Sequence, residues 1–253
     1  MNPIMKYNLT KVISEEPHST VWVCKNGDEQ FVAKIYSSEY KKLWKNENAI
    51  FKYLTENKKS HKNIIKLIEC FQYSETFYTI MEYIPNVSNL YESVLPKDNY
   101  KLINICKQIS EGICFLHNEG ILHHDIKLEN VLMSQNRVII IDFDMSFFYQ
   151  QKEVNTGGTE TYWPPYPWSV DLSYDIYSLG VLFYEICNDK RLPFNGNLKH
   201  EQLNFIKMKE DYRQSKFPIE TMNILIKNMM LTNSDRRPTI REILLVLNAI
   251  KHN

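Results

Sequence analysis

Hydrophobic and polar residues alternate in short runs up to about residue 84, and beyond residue 100 the apolar positions recur at helical spacing. This change of period divides the chain into a β-rich first third and a helical remainder. "VWVCKNGDEQFVAKIY" (21–36) reads as two strands around Asn26-Gly27-Asp28, because Asn-Gly accepts the positive φ of a tight hairpin. A helix is expected next, with Leu43, Glu47, Ile50, Phe51 and Leu54 along one side. "NIIKLIECFQY" and "TFYTIMEYI" read as two further strands, ending at Pro85. In the second part, Leu102, Ile105, Ile109, Ile113 and Leu116 form one broad apolar stripe. "YDIYSLGVLFYEIC" is apolar on nearly all sides, as a central helix would be, and "TIREILLVLNAI" opens with Thr239 and Glu242 at capping-box spacing. The expectation is an α+β protein of two lobes within one domain (1–253): a small lobe of about 1–84 and a larger one of about 88–253.

Thirty basic residues balance thirty acidic ones, so the overall field favours neither nucleic acid nor an anionic membrane. Five scattered cysteines without a C-x-x-C pair fit buried thiols in a reducing compartment better than disulfides or zinc. The start lacks the apolar core of a signal peptide, and no apolar run is long enough to span a bilayer. These features predict a soluble intracellular protein, cytoplasmic or nuclear.

Asp125, Lys127, Asn130 and Asp142 fall within eighteen residues, in "HHDIKLENVLMSQNRVIIIDFD" (123–144). Phosphoryl transfer has a use for each of them. A carboxylate must orient the attacking hydroxyl and accept its proton, a cation must steady the transferred group, and hard oxygens must hold magnesium. Asp125 suits the first task, Lys127 the second, and Asn130 with Asp142 the third. The apolar runs between Asn130 and Asp142 could pair as a hairpin that brings both to one rim.

The chain resembles eukaryotic-type protein kinases. "HHDIKLEN" is similar to the catalytic loop H-R-D-x-K-x-x-N, and "DFD" stands where the family has D-F-G. "FVAK" resembles the strand that carries the ATP-binding lysine, here Lys34, and Glu47 falls where its helix-borne partner belongs. "GTETYWPPY" (158–166), "DIYSLG" (175–180), "LPFNG" (192–196) and "DRRPT" (235–239) follow in the family's order. The resemblance implies a bilobal kinase fold, ATP and Mg2+ (or Mn2+) as cofactors, and a protein substrate. It places adenine between Ile13, Val21 and Val32 above and Leu132 below. Met81 becomes the gatekeeper, with backbone groups of Glu82 and Ile84 at the adenine edge. It also implies an internal spine of Phe51, Leu67, His123 and Phe143, with Asp175 tying down the catalytic-loop backbone. Lys127 and Thr159 resemble the serine/threonine class.

Several positions depart from the family pattern. The glycine-rich phosphate loop is replaced by "SEEPHSTV" (14–21), and the first glycine of the chain is Gly27. Without glycine, backbone amides approach phosphates less closely. Glu15 and Glu16 add repulsion of about 0.7–3 kcal/mol each at roughly 6 Å. Val32 narrows the adenine ceiling, and Asp144 adds a carboxylate near the metal. His124 removes the arginine that grips a phosphorylated activation loop. The segment 145–157 also lacks arginine, and Tyr166 deprives Arg237 of its usual glutamate partner.

The expected activity is transfer of the ATP γ-phosphate to Ser/Thr hydroxyls of proteins by a non-RD kinase with a degenerate loop. The alternatives are a pseudokinase serving as a binding module and, with less support from the motifs, a small-molecule phosphotransferase of kinase-like fold. The compact layout is similar to small kinases of large DNA viruses, such as the baculovirus type, with no room expected for a regulatory domain.

Overall fold

The structure, a computed structural model, describes residues 6–135, 137–150, 157–166, 170–194 and 198–250. Five antiparallel strands form the first layer: β1 (Asn8–Glu16), β2 (Ser19–Asn26), β3 (Glu29–Tyr36), β4 (Leu67–Tyr73) and β5 (Thr76–Glu82), in the order β1-β2-β3-β5-β4. The turn between β2 and β3 is the predicted one, with Gly27 at φ 60°. Helix α1 (Lys41–Glu56) crosses between β3 and β4 and buries Glu47, Ile50, Phe51 and Leu54. Of the five residues expected along one side, these four form the inner face and Leu43, in the first turn, is only half-buried.

The larger lobe is built on α2 (Asn99–Asn118) and α3 (Leu172–Cys187). Asp98 starts α2 by accepting from the Lys101 amide at 2.8 Å. Every residue of α3 from Tyr174 to Cys187 is buried, so its all-round apolar composition marks the lobe's centre. Helices α4 (His200–Met208), α5 (Glu220–Met229) and α6 (Ile240–Ala249) complete the lobe. The capping box of α6 is formed in both directions: the Thr239 amide donates to Glu242 and the Glu242 amide donates to the Thr239 hydroxyl. Among the described residues no helix is long and apolar enough to cross a membrane.

Small β-elements lie between the lobes: β6 (Ser88–Asn89), β7 (Ile121–Leu122), β8 (Val131–Ser134), β9 (Arg137–Ile140) and β10 (Phe147–Phe148). β8 and β9 pair antiparallel with Val131 opposite Ile140, which is the hairpin expected between Asn130 and Asp142. β9 is seated against α2 at Gly112. A Cβ there would lie 2.7 Å from Ile140 Cδ1 and 3.2 Å from the Asn63 carbonyl, so a larger residue would push the Ile140 side chain aside and press on the carbonyl that accepts from the Ile140 amide.

Phe51 of α1 packs on Phe143 at 5.2 Å between ring centroids, and Phe143 packs on His123 at 5.2 Å. Leu67 is partly buried against the same core. Burying a phenylalanine as completely as Phe143 contributes roughly 2–3 kcal/mol, and here that packing spans both lobes.

Candidate active site

Lys34 follows Val32 by two residues on β3 and is only 5% exposed. Its ammonium lies 2.6 Å from Asp142 Oδ1, 2.9 Å from Asp144 Oδ2 and 3.9 Å from Glu47 Oε1. Burial alone would lower the Lys34 pKa. Asp142, then Tyr36, Glu47 and Asp144, outweigh it and hold the group charged well above its ordinary value. Glu47 is fully buried and accepts from the Tyr36 hydroxyl at 3.1 Å. Burial pushes its pKa up, while Lys34 pulls it down. The lysine–glutamate pair expected from the sequence is thus present, but the lysine sits nearer the two aspartates.

The catalytic-loop backbone is held from below by α3. Asp175 accepts from the amides of His123 and His124, both at 2.9 Å, and meets His117 Nε2 at 3.0 Å. This tether holds His124 at φ 67°, a conformation sparsely populated for residues other than glycine. The His124 ring is 3% exposed and stacks on Tyr174 at 4.3 Å, with Phe147 edge-on at 5.1 Å. Neither ring nitrogen has a hydrogen-bond partner, and burial lowers the pKa of the imidazole. The position of the family's arginine is therefore filled by a neutral aromatic packing residue.

Asp125 is surrounded by donors. Its Oδ2 takes Lys127 Nζ at 2.8 Å and Asn130 Nδ2 at 2.9 Å, while its Oδ1 accepts from the Thr159 amide and hydroxyl at 3.0 and 3.1 Å. Lys127 also donates to the Thr159 hydroxyl at 3.0 Å. Gly158, at φ 119°, allows this approach; a Cβ there would stand 3.3 Å from the His124 carbonyl. Burial opposes charge on Lys127, but Asp125 more than restores it, so its pKa is raised.

Asn130 precedes β8 and Asp142 follows β9. The Ile141 amide donates to the Asn130 carbonyl at 3.0 Å, which brings the two ends of the hairpin together. The Asn130 amide nitrogen serves Asp125 through that residue's carbonyl and Oδ2. No group of three His, Cys, Asp or Glu side chains able to hold a metal occurs among the described residues. One carboxylate and one amide oxygen nevertheless fit magnesium, which keeps several waters and completes its shell with substrate phosphates. Asp144, expected beside the metal, is engaged by Lys34 and by His18 Nε2 at 3.4 Å. Burial would raise its pKa, but Lys34 and His18 hold it well below the usual carboxylate range.

The adenine-lining candidates are carried mainly by the small-lobe sheet. Ile13 is 52% exposed on β1, Val21 lies opposite Lys34 on β2, and Val32 lies opposite Met81 on β5. Ile84 and Leu132 are half-buried. The Glu82 amide already donates to the Lys66 carbonyl at 3.0 Å, so only its carbonyl could face an adenine. Glu15 and Glu16 are exposed, which puts their repulsion at the weak end of the range given above.

Arg237 does have partners. Its guanidinium donates to the carbonyls of Leu231, Ser173 and Thr232 at 2.8, 3.0 and 3.2 Å and lies over the Tyr177 ring. Next to the catalytic loop, the Tyr162 hydroxyl donates to Glu185 at 2.6 Å, and burial pushes the Glu185 carboxyl up to about 8. Residues 195 and 196 of "LPFNG" and residues 151–156 of the arginine-free segment lie outside the described residues.

Sequence reading missed His18, because a histidine after proline in a hairpin turn looks like solvated loop. It also gave no sign that Asp144 would meet Lys34.

The model of the protein kinase domain matches residues 7–246. A protein of Acanthamoeba polyphaga mimivirus named as a serine/threonine-protein kinase is 28% identical, over 97% of this chain and 94% of its own. Calcium-dependent protein kinase 4 of Plasmodium falciparum is 28% identical over 87% of this chain and 44% of its own. A casein kinase II subunit alpha homolog of Encephalitozoon cuniculi is 30% identical over 79% and 64%. The chain spans almost all of the viral relative but under half of the Plasmodium one. A match over nearly the whole chain, on a five-stranded sheet joined to a helical lobe, leaves one family: this chain belongs to the protein kinase domain family, among the eukaryotic-type serine/threonine kinases.

Proposed function

We propose that this protein is an ATP- and magnesium-dependent serine/threonine protein kinase acting on protein substrates, with the whole chain as one catalytic domain. The observation that carries this reading is the setting of Asp125. One carboxylate is held at once by Lys127, Asn130 and Thr159, next to the hairpin that presents Asp142 toward Lys34.

In this reading ATP lies between the lobes, against Ile13, Val21, Val32, Met81 and Leu132, with Glu82 and Ile84 at the adenine edge. Lys34, with Glu47 behind it, orients the phosphates. Asn130 and Asp142 would hold magnesium, which when bound would neutralise charge on the transferred group. Asp125 accepts the proton of the incoming hydroxyl and Lys127 steadies the γ-phosphate. Thr159, hydrogen-bonded to both, positions them for that hydroxyl. His124, neutral and packed, offers no charge to a phosphorylated loop, in keeping with a non-RD enzyme.

A second reading, a binding module with little catalysis, draws on the glycine-free turn and on Lys34 held by two aspartates. Transfer of labelled phosphate from ATP to generic Ser/Thr substrates, with magnesium and with manganese, separates the two. Transfer above an Asp125→Asn control supports the enzyme, and none with either metal supports the module.

A further inference from the structure

The β1–β2 turn has no glycine, yet it is not left loose over the cleft. β1 and β2 pair up to Glu16 opposite Ser19, so only Pro17 and His18 form the turn. From this turn His18 extends into the cleft. Its Nε2 lies 3.4 Å from Asp144 Oδ2, and its ring meets Tyr40 edge-on at 6.2 Å. Asp144 is 3% exposed and is tied to the small lobe in three directions. Its carboxylate meets His18 of the turn and Lys34 of β3, and its carbonyl accepts from Asn46 of α1 at 3.1 Å. A glycine at 144 could make only the last of these contacts.

We propose that His18 and Asp144 are a pair of nucleotide-positioning residues, the Asp144 carboxylate holding the β1–β2 turn over the phosphate end of the cleft through His18. A glycine-rich loop gains its hold by wrapping flexible backbone around phosphates, and it loses conformational freedom when it does so. A latched turn is ordered before the ligand arrives, so less entropy is lost on binding. The loss of the loop glycines and the gain of Asp144 are then two halves of one change. This inference rests on the cleft being an ATP site.

A double-mutant cycle tests the pair in two readouts. In nucleotide-free protein, hydrogen exchange at residues 16–20 should rise several-fold in His18→Ala. It should rise equally in Asp144→Gly, and no further in the double variant. In steady-state kinetics, His18→Ala should raise KM for ATP roughly 3- to 10-fold with kcat within about twofold. In the Asp144→Gly background it should change neither, and His18→Gln, which keeps a donor, should restore most of the affinity. Equal effects of His18→Ala in both backgrounds, or unchanged exchange, overturn the latch even if kinase activity is normal. Coupled exchange in a protein that binds no fluorescent ADP analogue overturns the nucleotide role and the kinase reading, while leaving the contact itself intact.

Discussion

Lys34 and Asp144 form a buried ion pair, Nζ to Oδ2 2.9 Å, closer than the 3.9 Å between Lys34 and Glu47. In the proposed mechanism Lys34 thus has two tasks, one toward the phosphates and one toward a carboxylate that stands where the family's D-F-G motif has glycine.

The two tasks separate by mutation. Lys34→Met should lower phosphate transfer by about 100-fold or more, the scale of losing a charged donor aimed at the reacting group. It should also cost roughly 3 kcal/mol of stability, because Asp144 and Glu47 are left buried without their cation. Adding Asp144→Gly to Lys34→Met should recover part of the stability, Glu47 remaining unpaired, and none of the activity. Thermal unfolding beside a radiolabel assay reads both; recovery of activity would show that Lys34 serves only to neutralise.

Asp125→Asn should abolish turnover, by about 100-fold or more, with little change in Tm. An asparagine oxygen can still accept from Thr159, so the loop stays in place while the proton acceptor is lost. Single-turnover transfer to a Ser/Thr substrate measures it, and a variant within tenfold of wild type would remove Asp125 from the chemistry.

The packing of His124 predicts a kinase that does not depend on loop phosphorylation. Phosphatase treatment should leave its activity unchanged within about twofold. His124→Arg should destabilise it by more than about 2 kcal/mol, since a guanidinium would replace a neutral ring between Tyr174 and Phe147. Denaturant titration and assays before and after phosphatase address the two parts. Activity that falls with phosphate removal would contradict the reading.

Glu185 makes stability depend on pH. Its folded pKa of about 8 lies above its ordinary 4.5. The folded state therefore holds the proton more tightly, and stability falls as pH rises between those values. From pH 5 to pH 8 the loss at this site should be roughly 3–4 kcal/mol. Glu185→Gln, which still accepts from Tyr162, should flatten the curve and be the more stable protein at pH 8. Parallel curves for the two proteins would place the pH dependence elsewhere.

Most of the site was legible because its chemistry depends on spacing. Asp125, Lys127 and Asn130 share one short loop, and a hairpin of readable apolar strands carries Asp142 back beside Asn130. Lys34 and Glu47 were marked by the resemblance to the family's lysine strand and its helix-borne partner, with periodicity placing Lys34 on the face of Val32 and Glu47 on the apolar side of its helix. What stayed hidden depends on contacts between distant segments. His18 and Asp144 lie far apart along the chain, and although Asp144 stood out as a departure from D-F-G, nothing in the sequence joined it to His18. Helix α4 buries only Leu203 and Lys207, too little apolar pattern to announce itself. The partners of Arg237 escaped notice because carbonyls belong to every residue and leave no mark in a sequence.

That last feature has an evolutionary side. An arginine anchored to a glutamate ties the lobe to one side chain, and a substitution at either end breaks the tie. Arg237 is anchored to main-chain oxygens, which survive any replacement of Leu231, Thr232 or Ser173. The lobe can thus keep its tie to Arg237 while the side chains along both segments that supply the tie change.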